Sequence, residues 1–564
     1  MNYPVLSQSF SWFYPPIAAI FRRRKLSVLL GIASALLTAI PATAAEKLYF
    51  SYSLFQESLQ VKSLEAFAKN GTINSDLAFY FWLAGADREQ QQRFREALTR
   101  QSTVDPVQLS RFFYSDLGED ILTNFGRFIQ LPSNGNGKYG LRAALILAAE
   151  EPGGLSLLSF LRNFPTDIHI DAQNVVRLSA ALRHIVDLTA RFTDEVKQLS
   201  AEEASREPVV DFSKLPDLRQ PGPYGFQSVR WELFDRSRNR RFYVMVYRPA
   251  TWPAGKVPVI IFSHGLASRP EDFAARAEHL ASYGFLVALP QHPGSDFGQA
   301  QALLNGFSRD VFLISEFIDR PKDISFVLDE LQRRNLSEFK GQLDVESVGV
   351  AGHSFGGYAA MAVAGVPIDF KNLEADCKQE WSFLNTSMLL QCRALDLPRQ
   401  TYRFTDPRVK AIAVGNPVNK SIFGVNGLQQ LKLPIILGAG SYDPATPFIF
   451  EQVPSFVTIG SPERYLALAE GQAHVDFSQI DAGITNVIDS VPGLTLPSPD
   501  LIDSYVNAMF AAFFQVYLRG DASYRPFLQA SYAAYLSRDQ EFKLALITAQ
   551  SSEALRRKLE QMQP

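Results

Sequence analysis

A short apolar run, Val348 to Ala351, leads into Gly352-His353-Ser354-Phe355-Gly356-Gly357 and then into the small-residue stretch Tyr358 to Gly365. Strand pattern, Gly-x-Ser-x-Gly and Ala-rich helix pattern, in that order, spell a strand that turns sharply into a helix with a serine at the apex. The turn forces the serine into a strained backbone conformation, so the positions beside it must lack bulk. Gly352 and Gly356 meet that need by removing Cβ atoms that would clash with strand and helix. The bare pentad is only moderately specific. Its strand-before, helix-after context makes Ser354 the candidate nucleophile.

A serine hydroxyl is a poor nucleophile until a base takes its proton, so a histidine and an orienting carboxylate have to converge on Ser354. In chains built round this turn the acid follows the serine and the histidine follows the acid. Of the seven histidines only His474 comes after Ser354, and order alone selects it. It sits just past the apolar run Tyr465 to Ala469, where a loop can carry an imidazole over a sheet edge. Asp443 stands shortly beyond the apolar run Pro434 to Gly438, on the edge that bears Ser354; Asp406 precedes its strand and falls at the wrong edge, and Asp476 is the remaining alternative. An oxyanion hole takes two backbone N–H groups. One belongs to the residue after the nucleophile, Phe355, and the other comes from the loop Ser263 to Ser268, where Leu266 is the expected donor. His264 and His353 adjoin these donors and read as packing or hydrogen-bonding residues.

The chain around this centre divides by composition. Arg22-Arg23-Arg24-Lys25, the apolar run Leu26 to Ile40 and Pro41-Ala42-Thr43-Ala44-Ala45 stand in the order of an export signal cut after Ala44, so 1–44 reads as a signal peptide. Fifteen apolar residues fall short of the about 20 that a membrane span takes. An uncleaved anchor is the other reading, and the arginines leave twin-arginine export open. Residues 45–201 read as a small all-α domain, with helices at Val61 to Lys69, Asp87 to Thr99, Gly118 to Ile129, Tyr139 to Ala149, Ser156 to Asn163 and Asp171 to Leu199. His169 and His184 are isolated there, and no cluster has metal-ligand spacing. Residues 202–224, polar and then rich in Pro and Gly, read as a linker.

From 225 to 520 strand and helix patterns alternate, which predicts a mostly parallel, doubly wound α/β sheet. Val229 to Phe234 and Phe242 to Tyr247 alternate as half-exposed strands, whereas Val257 to Phe262 and Phe285 to Leu289 are continuous apolar runs of buried ones. Leu501 to Leu518 closes the domain as a long helix, and 521–564 reads as a helical extension. Two insertions, 296–320 with Phe297, Phe307, Phe312 and Phe317, and 368–406 with Trp381 and Phe383, suit either a lid that touches lipid or the core of a cap. The second holds both cysteines, Cys377 and Cys392. They suit a disulfide in an oxidising compartment, worth up to about 3 kcal/mol, or else two buried thiols. With 46% apolar and 20% charged residues and a formal net charge of −3, made more negative by loss of the basic leader, nothing points to nucleic-acid binding.

Pro258-Val259-Ile260-Ile261-Phe262-Ser263-His264-Gly265-Leu266, Gly352-His353-Ser354-Phe355-Gly356-Gly357 and the helix Asp323 to Asp329 resemble the platelet-activating factor acetylhydrolase family of α/β-hydrolases, over roughly residues 225 to 480. The resemblance implies the α/β-hydrolase fold and a calcium-independent carboxylic-ester hydrolase without metal or organic cofactor. It assigns Ser354, Asp443 and His474 as triad and Leu266 and Phe355 as oxyanion donors. Gln291-His292-Pro293-Gly294 departs from the family after the fourth strand, so pocket specificity does not transfer; His292, near the expected catalytic edge, reads as a pocket residue. The sheet order is also similar to that of dienelactone hydrolases, whose nucleophile is cysteine, and Ser354 counts against that chemistry. Lys47 to Tyr52, Leu64 to Lys69 and Leu141 to Ala148 resemble a helical domain of unknown function found ahead of bacterial α/β-hydrolases. The resulting expectation is an exported serine esterase or lipase, periplasmic or extracellular, acting on a small-molecule ester or lipid with transient lipid-surface contact and an unknown partner for the helical domain. Thioesterases and peptidases use the same triad, and an inactive cell-envelope scaffold is the rival from another class.

Overall fold

The alternation of buried strands with helices produces a nine-stranded, mostly parallel sheet. The computed structural model describes residues 45–52, 55–474 and 495–562; the expected signal peptide and Asp476 lie outside them. The chain folds into two units, a first that runs to Phe113 and over Ile121–Arg183 and a second that holds Tyr114–Asp120 and the chain from His184.

In the first unit local sequence sets the helix ends. Asp87 accepts from the Gln90 N–H at 2.8 Å while the Gln90 side chain accepts from the Asp87 N–H at 3.0 Å, a reciprocal cap that starts Arg88–Thr99. Gly71 ends Val61–Asn70 at φ 77°, a conformation that glycine adopts without Cβ strain. Leu64, Phe67, Leu98, Leu141, Leu145 and Phe164 form the core. The unit is not all-α as expected. β1 (Lys47–Tyr52) and β2 (Phe55–Gln60) pair antiparallel, β4 (Ile168–Asp171) lies parallel to β1, and β3 (Ile129–Gln130) joins β4. These strands are short, and β3 and β4 find their partners only across long stretches of chain, so local periodicity does not tell them from helix or loop.

The helix expected to end at Leu199 runs from Ala172 to Arg206, which shortens the linker. The second unit's strands are β5 (Phe226–Asp235), β6 (Arg240–Pro249), β7 (Val257–Ser263), β8 (Leu286–Pro290), β9 (Leu343–His353), β10 (Val409–Gly415), β11 (Ile435–Gly440), β12 (Arg464–Ala469) and β13 (Leu544–Thr548). They lie in the order β13-β12-β11-β10-β9-β7-β8-β6-β5. Strands β7 to β12 are parallel, and β5, β6 and β13 run antiparallel to their neighbours. Strand β13 corrects the expectation of a purely helical extension over 521–564. Leu-Ala-Leu-Ile-Thr is too short for periodicity to tell strand from helix, and pairing with β12 decides it. The Glu203 carboxylate anchors this edge by accepting from the Thr548 N–H at 3.0 Å.

The alternation of side chains along a strand divides β7 between two cores. Val257, Val259 and Ile261 join the Glu316–Phe339 and Phe355–Val363 helices on one face; Ile260 and Phe262 join Ala274–Ser282 and Pro499–Tyr517 on the other. After β7 the chain places β8 on one side and β9 on the other. The C-terminal ends of β7 and β9 are therefore the point where strand order reverses, at which ligands of such sheets bind. Among the described residues no helix is long and apolar enough to cross a membrane.

Candidate active site

Strand β9 ends at His353 and the next helix starts at Phe355, so Ser354 alone makes the turn, at φ 54° and ψ −117°. A non-glycine residue held there costs on the order of 1–3 kcal/mol, which the surroundings must supply. They do so through backbone bonds: the Ser354 N–H donates to Gly415 O at 3.0 Å, and Ser354 O accepts from the Gly357 and Val418 N–H groups. The two glycines are obligatory. A Cβ on Gly352 would lie 2.2 Å from Gly356 O, and one on Gly356 would lie 1.9 Å from Ser263 O, in β7.

Asp443 follows β11 and has a fully buried side chain. Its Oδ1 accepts from the N–H groups of Ala445 (2.8 Å) and Thr446 (2.9 Å), and its Oδ2 from Thr446 Oγ1 (2.7 Å) and Asn416 Nδ2. His474 Nδ1 lies 2.7 Å from the same Oδ2. Burial alone would raise the Asp443 pKa, but His474 and the Thr446 bonds outweigh it and hold the carboxyl below its ordinary range. An ionised acceptor at Nδ1 fixes the tautomer that leaves Nε2 free to take a proton. The two loops are stitched together by the Tyr442 N–H on Gln472 O (3.0 Å) and the Gly471 N–H on Ser441 Oγ (2.8 Å). His353, next to Ser354, donates from Nε2 to His474 O at 2.9 Å, and the two rings lie 4.7 Å apart. Burial first, then His474 and Arg276, push the His353 pKa down to about 3, so it serves as a neutral donor. Asp406, the acid rejected on position, pairs with Arg408 at the other end of β10.

The loop after β7 passes beside the serine: a Cβ on Gly265 would sit 3.5 Å from Ser354 Cβ. In that loop the Ala267 N–H is taken by Ser295 O at 2.9 Å. His292 is not a pocket residue. It is fully buried, with Nδ1 2.9 Å from Asp323 Oδ2 and Nε2 2.9 Å from Ser263 Oγ, and its backbone N–H donates to His264 Nε2 at 3.2 Å. The Pro293-Gly294 turn leaves no local mark of this depth, which is set by what packs over it. Sequence reasoning also missed Arg320, fully buried over the Phe355 ring at 4.4 Å. Its signal was a charge on an apolar helix face, three residues after Phe317 and four before Ile324. Burial lowers the Arg320 pKa to about 10, which leaves the guanidinium charged at neutral pH.

The insertions split between core and surface. Phe312 and Phe317 are buried against Phe355, while Phe297 and Phe307 are exposed. In the second insertion Cys377 and Cys392 are disulfide-bonded, and Thr386 Oγ1 donates to the carbonyls of Pro444 and Ala445, beside Asp443. Among the described residues no His, Cys, Asp or Glu group has the grouping of a metal site.

Comparison with known proteins matches residues 44–171 to a family described as "Alpha/beta hydrolase of unknown function (DUF1400)" and residues 217–375 to "Chlorophyllase". The chain is 28% identical over 127 residues, 22% of its length, to chlorophyllase type 0 of Chenopodium album. It is 29% identical over 154 residues, 20% of its length, to the platelet-activating factor acetylhydrolase of Cavia porcellus. The matched segments span 32% and 34% of those relatives. The chain thus has the α/β-hydrolase fold, preceded by a helix-rich domain, and resembles the platelet-activating factor acetylhydrolases.

Proposed function

We propose that this chain is an exported serine hydrolase that cleaves carboxylic esters through an acyl-enzyme. One observation carries the reading: a strained serine turn stands at the same sheet edge as a histidine whose Nδ1 lies 2.7 Å from a buried, ionised carboxylate. His474 takes the Ser354 proton as Oγ attacks the ester carbonyl; the Leu266 and Phe355 N–H groups receive the negative charge that develops on the carbonyl oxygen. The collapsing intermediate expels the alcohol, which leaves with the proton from His474. Water then adds to the acyl-enzyme as His474 takes its proton, and the acid is released as Ser354 recovers its own. Asp443 stabilises the imidazolium in both halves. No metal or organic cofactor is required by these steps. The likeness to a chlorophyllase and an acetylhydrolase supports esters as the substrate class, and the leader supports export to the periplasm or the medium.

The test is hydrolysis of p-nitrophenyl esters from acetate to palmitate by the wild type and Ser354→Ala, with fluorophosphonate labelling alongside. Turnover and labelling that both vanish in the variant are expected. A folded wild type that neither turns over an ester nor labels would end this reading and favour the scaffold.

A further inference from the structure

We infer that Arg320 is the positioning residue of the oxyanion hole, acting on both of its N–H donors from the buried side. The inference rests on the esterase reading above.

The guanidinium touches no solvent, and each of its nitrogens is engaged. Nη1 donates to His264 O at 2.5 Å, Nη2 to Gly265 O at 3.2 Å and Ser295 O at 3.5 Å, and Nε to Ser295 Oγ at 2.8 Å. Ser295 Oγ in turn donates to Glu316 Oε2 at 2.7 Å, which fixes the rotor as an acceptor for Arg320. The decisive contact is the one with Gly265 O. Carbonyl and N–H of one planar trans peptide point in opposite directions. Gly265 O is pulled inward by Arg320 and by His264 Nδ1, at 2.7 Å, so the Leu266 N–H is turned outward. The Gly265 Cα faces Ser354, and the Ala267 N–H is already spent on Ser295. Leu266 is thereby left as the loop's N–H aimed at the cleft. The same guanidinium lies over the ring of Phe355, whose N–H is the second donor. Asp323, held by Arg238 and Arg240 at 2.8 and 2.9 Å, orients His292, and the His292 N–H orients His264, so the inward pull on Gly265 O comes from two groups, Arg320 and the His264 ring that Arg320 also braces through His264 O.

Oxygen and sulfur distinguish this role from a structural one, because a thiocarbonyl sulfur accepts hydrogen bonds poorly and gains little from an oxyanion hole. The full-length protein, Arg320→Lys, and Arg320→Met combined with Glu316→Gln are compared on a p-nitrophenyl ester and its thionoester, with thermal unfolding followed in parallel. The double variant is expected to lose about 10²- to 10³-fold in kcat on the ester with KM little changed, and much less on the thionoester, so that the ester preference narrows. Arg320→Lys, with one ammonium for two carbonyls, falls between. Should the double variant fail to fold, Ser295→Ala removes the acceptor of Nε together with the donor to Glu316, leaves the guanidinium's bonds to His264 O and Gly265 O, and is expected to narrow the preference by a smaller factor. Equal losses on both substrates, or no loss in any folded variant, would overturn the inference. Those outcomes require an active wild type, so they differ from the inert, unlabelled wild type that would sink the esterase reading itself.

Discussion

Two Ser-His-Asp arrangements stand within one unit of this molecule. Ser354, His474 and Asp443 occupy the sheet edge, with Nδ1 2.7 Å from the carboxylate; Ser263, His292 and Asp323 lie beneath it, with Nδ1 2.9 Å from the carboxylate and Nε2 2.9 Å from Ser263 Oγ. Residue types and the histidine–carboxylate hydrogen bonds are alike, yet only the first suits the chemistry proposed above. Ser263 ends an extended strand with its side chain wholly buried, whereas Ser354 is thrust forward by a strained turn. The carboxylates differ too. Asp443 is held by neutral donors, so a cation on His474 is its natural complement, while Asp323 is already matched by Arg238 and Arg240. Burial, Arg320, Arg240 and Arg238 together hold the His292 pKa well below the ordinary histidine value, so its imidazole resists taking a proton. A triad is thus defined by access and by unspent charge.

Paired substitutions break the comparison most sharply at the serines. Ser354→Ala is expected to lower kcat by on the order of 10⁶-fold with the unfolding midpoint unchanged. Ser263→Ala should leave kcat within about 10-fold and instead lower stability by roughly 1–3 kcal/mol, the cost of unpairing His292 Nε2. Steady-state kinetics and urea unfolding on both variants check this. A collapse of activity in Ser263→Ala without loss of stability would erase the distinction.

The carboxylates come next. Asp443→Asn keeps the shape but favours the wrong His474 tautomer, and kcat is expected to fall about 10⁴-fold. Asp323→Asn takes one carboxylate from Arg238 and Arg240, which keep Asp235, Asp319 and Glu316, and loosens the bond to His292, with an expected loss of about 1–3 kcal/mol in stability and a small one in turnover. Denaturant midpoints that move for Asp443→Asn but not for Asp323→Asn would reverse the assignment of roles.

How far each arrangement is legible in the sequence follows from the same contrast. Ser354 was readable because its turn needs Gly352 and Gly356, and His474 because chain order left no other candidate. Asp443 required the strand β11 to be placed first. His292 and Asp323 gave no such sign: each is an ordinary polar residue until β6 brings Arg240 and the Glu316–Phe339 helix closes over β8. Strands β3 and β4 of the first unit and strand β13 were missed for a related reason, since each pairs only with a segment distant in sequence.

Acid should separate the two arrangements by the smallest step. His264 and His292 are buried beside Arg320 and held well below the ordinary histidine pKa, and burial, with His474 and Arg276, brings His353 to about 3. Unfolding frees each ring to bind a proton near pH 6.5, so the unfolded state gains protons as pH falls below that value and stability drops. Each ring contributes a slope of about 1.4 kcal/mol per pH unit until its folded pKa is reached. Asp443 behaves oppositely in window: its depressed pKa contributes stability above the ordinary carboxylate range, and that contribution is lost only as pH falls through the lower folded value. Between about pH 6.5 and 4 the acid sensitivity therefore belongs to the buried histidines and not to Asp443. Thermal unfolding midpoints measured across that window should fall steadily in the wild type and less steeply in His292→Gln. A flat wild-type profile, or an unchanged slope in the variant, would mean that the buried arrangement does not carry the acid sensitivity assigned to it.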